Sequence, residues 1–71
     1  MRVKVELVTM TDVVQFVGIA TQVNEPVYLV GHGFRVSAKS LLGAAYTLEW
    51  DEVWCECERD IYTKIDKFVI V

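Results

Sequence analysis

The chain opens on a strict alternation of apolar and charged residues. In "RVKVELV", residues 2–8, apolar residues alternate with the charged Arg2, Lys4 and Glu6. The apolar positions are Val3, Val5 and Leu7. A period of two predicts a half-buried β-strand with one face in solvent.

The next segment changes to a helical period. In "TDVVQFVGIATQV", residues 11–23, apolar residues recur at a spacing that places them on one side of a helix. They are Val13, Val14, Phe16, Val17 and Ala20. Asp12, followed three residues later by Gln15, predicts a capping box at the helix start, and "NEP" at 24–26 predicts its end.

Residues 27–37, "VYLVGHGFRVS", predict a β-hairpin. Two β-branched and aromatic runs flank a Gly-His-Gly centre, where glycines allow positive φ. His32 is therefore expected at an exposed loop tip, and no neighbouring carboxylate in the sequence would orient it for chemistry.

The remaining segments predict a helix, a strand and a helix. "SAKSLLGAAYTL", residues 37–48, predicts a short helix capped at either Ser37 or Ser40, with Leu41, Leu42 and Ala45 on its apolar side. "DEVWCECE", residues 51–58, predicts a strand with Val53, Cys55 and Cys57 on one face. "RDIYTKIDKFVIV", residues 59–71, predicts a final helix with a frayed β-branched end. Its apolar positions are Ile61, Ile65, Phe68 and Val69.

The order of elements is therefore βαββαβα. We expect a single α+β domain over residues 1–71, built as a two-layer open-faced sandwich. In it, an antiparallel four-stranded sheet is covered on one face by three helices.

Composition and charge exclude several function classes. The chain has seven basic and ten acidic residues with no Lys/Arg cluster, which argues against binding to nucleic acid. No apolar run approaches the roughly 20 residues needed to span a bilayer, so we expect no membrane segment and a cytoplasmic protein. A core of this size rarely supplies more than about 3–5 kcal/mol of stability, which leaves a homodimer as an open alternative.

The residues available for chemistry are few. Cys55 and Cys57 are the only cysteines and His32 is the only histidine, so a four-ligand zinc site is not expected. The cysteines are expected as free, buried thiols. Because no nucleophile, base and orienting group can be assembled, we expect no metal, no cofactor, no catalytic residues and no enzymatic activity.

The segment around Ser40 resembles a known family. "RVSAKSLLGAA" follows the hairpin and precedes the "EVWCEC" strand, an arrangement similar to the HPr family of phosphocarriers in the bacterial sugar phosphotransferase system. The resemblance runs without gaps from about Ala20 to Gly43 and more loosely to the end. Its most specific piece, Lys39 to Gly43, is similar to Lys-Ser-Ile-Met-Gly in that family. The resemblance implies an HPr-like fold.

The phosphate-accepting segment of the family is absent. Its His-Ala-Arg-Pro sequence corresponds, by counting back, to Thr9, Met10, Thr11 and Asp12. A threonine phosphate ester is too low in energy for reversible transfer, and Asp12 would compete with a phosphate for the helix N-terminus. The resemblance therefore implies a divergent member without histidine phosphotransfer, in which Thr9 and Thr11 remain only as candidate anion or partner contacts.

What remains of the family's chemistry is Ser40. In many HPr proteins the corresponding serine is phosphorylated by a dedicated kinase, and the phosphorylated form binds a regulator of carbon catabolite repression. The resemblance implies that HPr serine kinase, phosphotransferase-system or catabolite-control proteins are partners. Lys39 is then a candidate phosphate contact, and Leu41 and Leu42 are candidate docking residues.

Two alternatives stand beside this regulatory function. Serine is a common N-cap, so helix capping alone also accounts for Ser40. The chain could equally be a structural or protein-interaction domain that retains only the HPr fold.

Overall fold

The computed structural model describes residues 1–70 and contains four strands and three α-helices. The predicted order βαββαβα is confirmed. The elements are β1 (Arg2–Val5), α1 (Met10–Thr21), β2 (Val27–Gly31), β3 (Phe34–Ser37), α2 (Leu41–Tyr46), β4 (Val53–Cys57) and α3 (Tyr62–Ile65). Single 3₁₀ turns follow α2 at Thr47–Glu49 and α3 at Asp66–Phe68.

The four strands form one antiparallel sheet in the order β1-β4-β2-β3. β4 and β2 are central, with Leu29 opposite Cys55, and β1 and β3 are the two edges. The alternating burial of β4 confirms the predicted orientation of Val53, Cys55 and Cys57 toward the core. The α+β class expected from the sequence is therefore confirmed.

The helices cover one face of this sheet. α1 contributes the buried Val13, Phe16 and Ala20 to the core, and the ring of Phe16 meets that of Phe68 edge-on at 5.4 Å between centroids. Valine-rich α1 has weak intrinsic helix propensity, so this burial against the sheet stabilises it.

Charged and aromatic side chains occupy the other face of the sheet, here called the open face. Arg2 pairs with Glu56 at 3.3 Å, and Lys4 pairs with Glu52 at 2.9 Å. One ion pair thus joins β1 to β4 through Glu56, and the other joins β1 to the residue before β4, Glu52.

The start of α1 differs from the predicted capping box. Thr9 is the N-cap, and its Oγ1 accepts a hydrogen bond from the backbone N–H of Asp12 at 3.2 Å. Asp12 occupies position N3 and accepts from the backbone N–H groups of Val8 and Thr9. The assignment of Asp12 as cap with Gln15 was wrong because Thr9 supplies the same chemistry one turn earlier.

Val14 is not part of the core face of α1. Its side chain is 54% exposed, whereas Val13 on the preceding position is fully buried. The buried stripe follows Val13, Phe16 and Ala20, and a residue one position on is rotated by about 100° from it. The prediction of a five-residue apolar face was therefore too wide.

The predicted hairpin is confirmed, but its turn is narrower than the Gly-His-Gly centre. His32 and Gly33 form it with φ of 50° and 79°, the two positive values of a type I′ turn. Gly31 lies in β2 and has no positive φ, so it is not glycine for the sake of the turn. A Cβ at Gly31 would stand 2.3 Å from the carbonyl oxygen of Glu52, so the close approach of these backbones requires glycine.

α2 is capped at Ser40, which decides between the two predicted caps. Its buried residue is Ala44, whereas Leu41 and Leu42 are 49% and 85% exposed. The two leucines of the predicted apolar side therefore lie outside the core, and their exposure is what a candidate docking role requires. α2 lies so close to β3 that a Cβ at Gly43 would be 3.3 Å from that of Val36, so only small residues fit on the inner side.

The end of the chain also differs from the predicted long helix. α3 has four residues, and after the 3₁₀ turn Val69 forms a β-bridge with Val5 instead of fraying. Ile61, Ile65 and Phe68 are buried as predicted. The last residue of the predicted helix, Val71, lies outside the described residues.

Candidate functional site

Ser40 begins α2 with its side chain at the protein surface. Its backbone is extended, and its Oγ accepts a hydrogen bond from the backbone N–H of Gly43 at 3.2 Å. The cap uses a lone pair of the hydroxyl oxygen, so the hydroxyl proton is not committed to it. Ser40 therefore caps the helix while its Oγ stays at the surface.

Exposed apolar side chains surround Ser40. Leu42 is 85% exposed and Leu41 is 49% exposed, and Tyr46, one turn beyond Leu42, is 55% exposed. A shallow surface depression joins part of this group to the serine. It is lined by Ser40, Leu42, Gly43, Ala45, Tyr46 and Glu49. Ser40, Leu41 and Leu42 together are the candidate docking surface expected from the sequence, called the docking surface from here on.

Lys39 has another hydrogen-bond partner. Its Nζ donates to the backbone carbonyl oxygen of Val23 at 2.5 Å, in a partly buried position. α1 has no basic residue in its last turn, and Val23 lies just beyond its end. Lys39 therefore joins the start of α2 to the end of α1, and would have to release Val23 to contact an anion at Ser40.

The N-terminus of α1 is occupied by the chain's own carboxylate. The Oδ2 atom of Asp12 lies 2.9 Å from the backbone nitrogen of Val8 and 3.3 Å from that of Thr9. These hydrogen bonds, that of Val8 first, and the nearby Lys67 hold the pKa of Asp12 below its ordinary value. An incoming phosphate would be repelled by this carboxylate and would compete with it for the positive end of the helix dipole.

Thr9 and Thr11 are both exposed at this helix start. The Oγ1 atom of Thr9 caps the helix, as the Oγ of Ser40 caps α2, and Thr11 lies in the first turn of α1. Among residues 1–70 no hydrogen bond connects these threonines to the Ser40 group. The structure thus places the candidate residues in two separate groups, one at the start of α1 and the other at the start of α2.

His32 lies in the hairpin turn, as predicted, and is exposed. Its ring stacks near that of Phe34, with 6.4 Å between centroids and 23° between planes. No ion pair or hydrogen bond to its side chain is formed within the part of the chain that is described. A phosphoryl group on His32 would therefore lack the positioned hydrogen-bond donors that such a group needs.

Sequence reasoning missed an aromatic cluster that extends from His32. Phe34 lies 6.3 Å from Tyr46 and 6.4 Å from Trp50, and the last two rings are 6.1 Å apart. Trp50 is buried, whereas Phe34 is 52% exposed. The i, i+4 spacing of Tyr46 and Trp50 was a visible signal, but their approach to Phe34 depends on the packing of α2 against β3.

The cysteines are placed as the alternation predicted. Cys55 and Cys57 are free and buried in the sheet. Burial, with the neighbouring Cys57 as a second cause, raises the pKa of the Cys55 thiol to about 12, so it stays protonated and unreactive at neutral pH. Residues 1–70 contain no group of three or more potential metal ligands, and none of their helices has the length and apolar character to cross a bilayer.

Comparisons with protein-family models, curated proteins and solved structures found no match to this chain. The resemblance to the HPr family therefore rests only on the segment around Ser40 and on the order of the elements.

Proposed function

We propose that this protein is an HPr-like regulatory module of the phosphotransferase system that acts in the cytoplasm without histidine phosphotransfer. In this proposal an HPr-type serine kinase phosphorylates Ser40. The phosphorylated docking surface then binds a catabolite-control or phosphotransferase-system protein.

The observation that carries the proposal is the exposure of Leu41 and Leu42 directly after the surface hydroxyl of Ser40. A helix cap needs only the serine, and Leu42 in particular buries little of its side chain within this domain. An apolar contact beside a modifiable hydroxyl is the combination that a phosphorylation-dependent partner requires.

The local geometry also suits a phosphoserine at this position. Phosphate carries a charge of roughly −1.5 to −2 and would stand beside the free backbone N–H groups of the first turn of α2. One of its oxygens can accept the Gly43 N–H in place of the hydroxyl. The modification is therefore compatible with the helix that the serine caps.

The start of α1 supports the loss of histidine phosphotransfer. Thr9 stands at the position of the family's histidine, and Asp12 uses the backbone N–H groups of Val8 and Thr9. The ionised Asp12 also places a negative charge at this helix start, which repels an incoming phosphoryl group.

Intact-mass spectrometry tests the proposal. The protein is incubated in one arm with ATP and HPr serine kinase, and in another with phosphoenolpyruvate and the upstream phosphotransferase enzyme. We expect one phosphate in the ATP arm, none in the other arm, and loss of the phosphate in Ser40→Ala.

Ser37→Ala is the matched control, because Ser37 is also exposed and its Oγ accepts a backbone hydrogen bond from Lys39 at 3.2 Å. Phosphate that persists in Ser40→Ala, or that arrives from phosphoenolpyruvate, would refute the proposal.

The second candidate function is a structural or protein-interaction domain that retains only the fold. The same exposed leucines favour it, since an apolar surface can bind a protein or a second copy of the chain without phosphate. No phosphate in either arm, with binding or dimerisation that Leu42→Ser abolishes, would select this alternative.

A further inference from the structure

The two edge strands of the sheet differ in how far their outer backbone groups are hydrogen-bonded. At β1, the returning chain forms hydrogen bonds from Ile70 N–H to the Lys4 carbonyl at 3.0 Å and from Glu6 N–H to the Phe68 carbonyl at 2.8 Å. At the other edge, β3 pairs with β2 and with no other strand among residues 1–70. An uncovered edge presents backbone groups that can pair with an added strand.

The hydrogen bonds between β2 and β3 show which backbone groups of β3 point away from β2. The Ala38 N–H donates to the Val27 carbonyl at 2.8 Å, and antiparallel pairs alternate between bonded and non-bonded positions. The backbone groups of Phe34 and Val36 therefore face β2, and those of Arg35 and Ser37 face away. The Ser37 carbonyl accepts from Ser40, which leaves three outward groups: the N–H and C=O of Arg35 and the N–H of Ser37.

Arg35 places a preoriented cation beside these groups. Its guanidinium carbon lies 3.7 Å from the centroid of the Tyr28 ring on the open face. Arg2, Lys4 and Arg59 each pair with a glutamate, whereas Arg35 has no carboxylate partner in the described residues. A stacked guanidinium keeps its N–H edges free for a carboxylate.

The helix-facing side of the same strand is apolar. Phe34 and Val36 share the face of Leu29, and Phe34 is 52% exposed beside the equally exposed Tyr46. Side chains of an added strand would alternate between this apolar side and Arg35 on the open face.

We propose that the β3 edge binds an extended peptide segment of a partner protein in which an acidic residue stands between two apolar residues. The segment adds antiparallel to β3. Its acidic residue exchanges both backbone hydrogen bonds with Arg35 and places its carboxylate against the guanidinium, while its apolar residues contact Phe34 and Val36. This site adjoins Ser40 but uses no atom of its side chain and needs no phosphate.

The test titrates the ¹⁵N-labelled protein with the capped peptide Thr-Val-Glu-Val-Thr and follows its backbone amide signals by NMR. We expect the largest saturable shifts at the amides of Arg35 and Ser37. Replacing the peptide's Glu by Lys should weaken binding by roughly threefold or more, since attraction becomes repulsion. Methylating the nitrogen of that Glu should abolish binding, because the Arg35 carbonyl loses its donor.

Arg35→Glu should reverse the preference between the Glu and Lys peptides. Lys4→Glu makes the same change of charge at the other edge and should leave the preference as it is. The proposal is overturned by equal binding of the two charged peptides, by binding of the methylated peptide, or by shifts centred on Leu41 and Leu42. Absence of shifts at about 10 mM peptide would also overturn it. So would shifts that grow with protein concentration alone, which would mean that a second copy occupies the edge.

Discussion

Thr9 and Ser40 cap neighbouring helices with the same chemistry, yet their surroundings differ. At Thr9 a carboxylate completes the cap, because Asp12 accepts from the backbone of Val8 and Thr9. At Ser40 no acidic residue follows in the first turn, and exposed leucines stand there instead. Of these two hydroxyls, that of Ser40 therefore stands where no carboxylate of the first turn repels added negative charge.

The capping box of Thr9 and Asp12 should make the stability of the protein depend on pH. The folded protein lowers the pKa of Asp12, so the ionised carboxylate stabilises the fold. This contribution is present above the ordinary aspartate pKa of about 3.9 and is lost as pH falls through the lower folded value. Thermal melts of wild type and Asp12→Asn should therefore differ at neutral pH and converge in acid. A constant difference in melting temperature across this range would contradict the role of Asp12.

The strands and the hairpin were predictable from the sequence, whereas the packing of α2 and of the chain end was not. Period-two alternation predicted β1 and β4, and the Gly-rich centre predicted the hairpin, because these signals are local. The inner side of α2 could not be chosen from the sequence, since Leu41 and Leu42 give the helix its apolar side while the structure buries Ala44 and brings Gly43 against β3. Likewise, the pairing of Val69 with Val5 depends on a contact between the two ends of the chain, which periodicity cannot show.

Gly31 and Gly18 provide a matched test of the close backbone approach between β2 and Glu52. A Cβ at Gly31 would lie 2.3 Å from the Glu52 carbonyl oxygen, whereas at Gly18 it would meet nothing within 4 Å. Gly31→Ala should lower the free energy of unfolding by about 1–3 kcal/mol through backbone displacement between β2 and the loop before β4. Gly18→Ala, in the middle of α1, should raise it by about 0.5–1 kcal/mol.

Urea titration followed by circular dichroism measures both variants under the same conditions. A Gly31→Ala protein as stable as wild type would show that the close approach is not needed.

The whole molecule presents three distinct surfaces. Ion pairs and cation–π contacts, such as Arg2 over Trp54 at 5.0 Å, occupy the open face. The docking surface lies on the helix layer around Ser40, and the β3 edge separates the two. The chain carries a net charge of −3, so a phosphate on Ser40 needs a partner that supplies cationic groups, because Lys39 is bonded to Val23.

The most direct test of the regulatory function is the affinity of the protein, with and without phosphate on Ser40, for a purified catabolite-control regulator. Surface plasmon resonance should show binding at least about tenfold tighter for the phosphorylated form, in the range expected for new charge-assisted hydrogen bonds. Leu42→Ser should remove most of this binding, whereas Val14→Ser, which changes an exposed apolar residue on α1, should retain it. Equal affinity of the two forms, or no binding by either, would contradict the account.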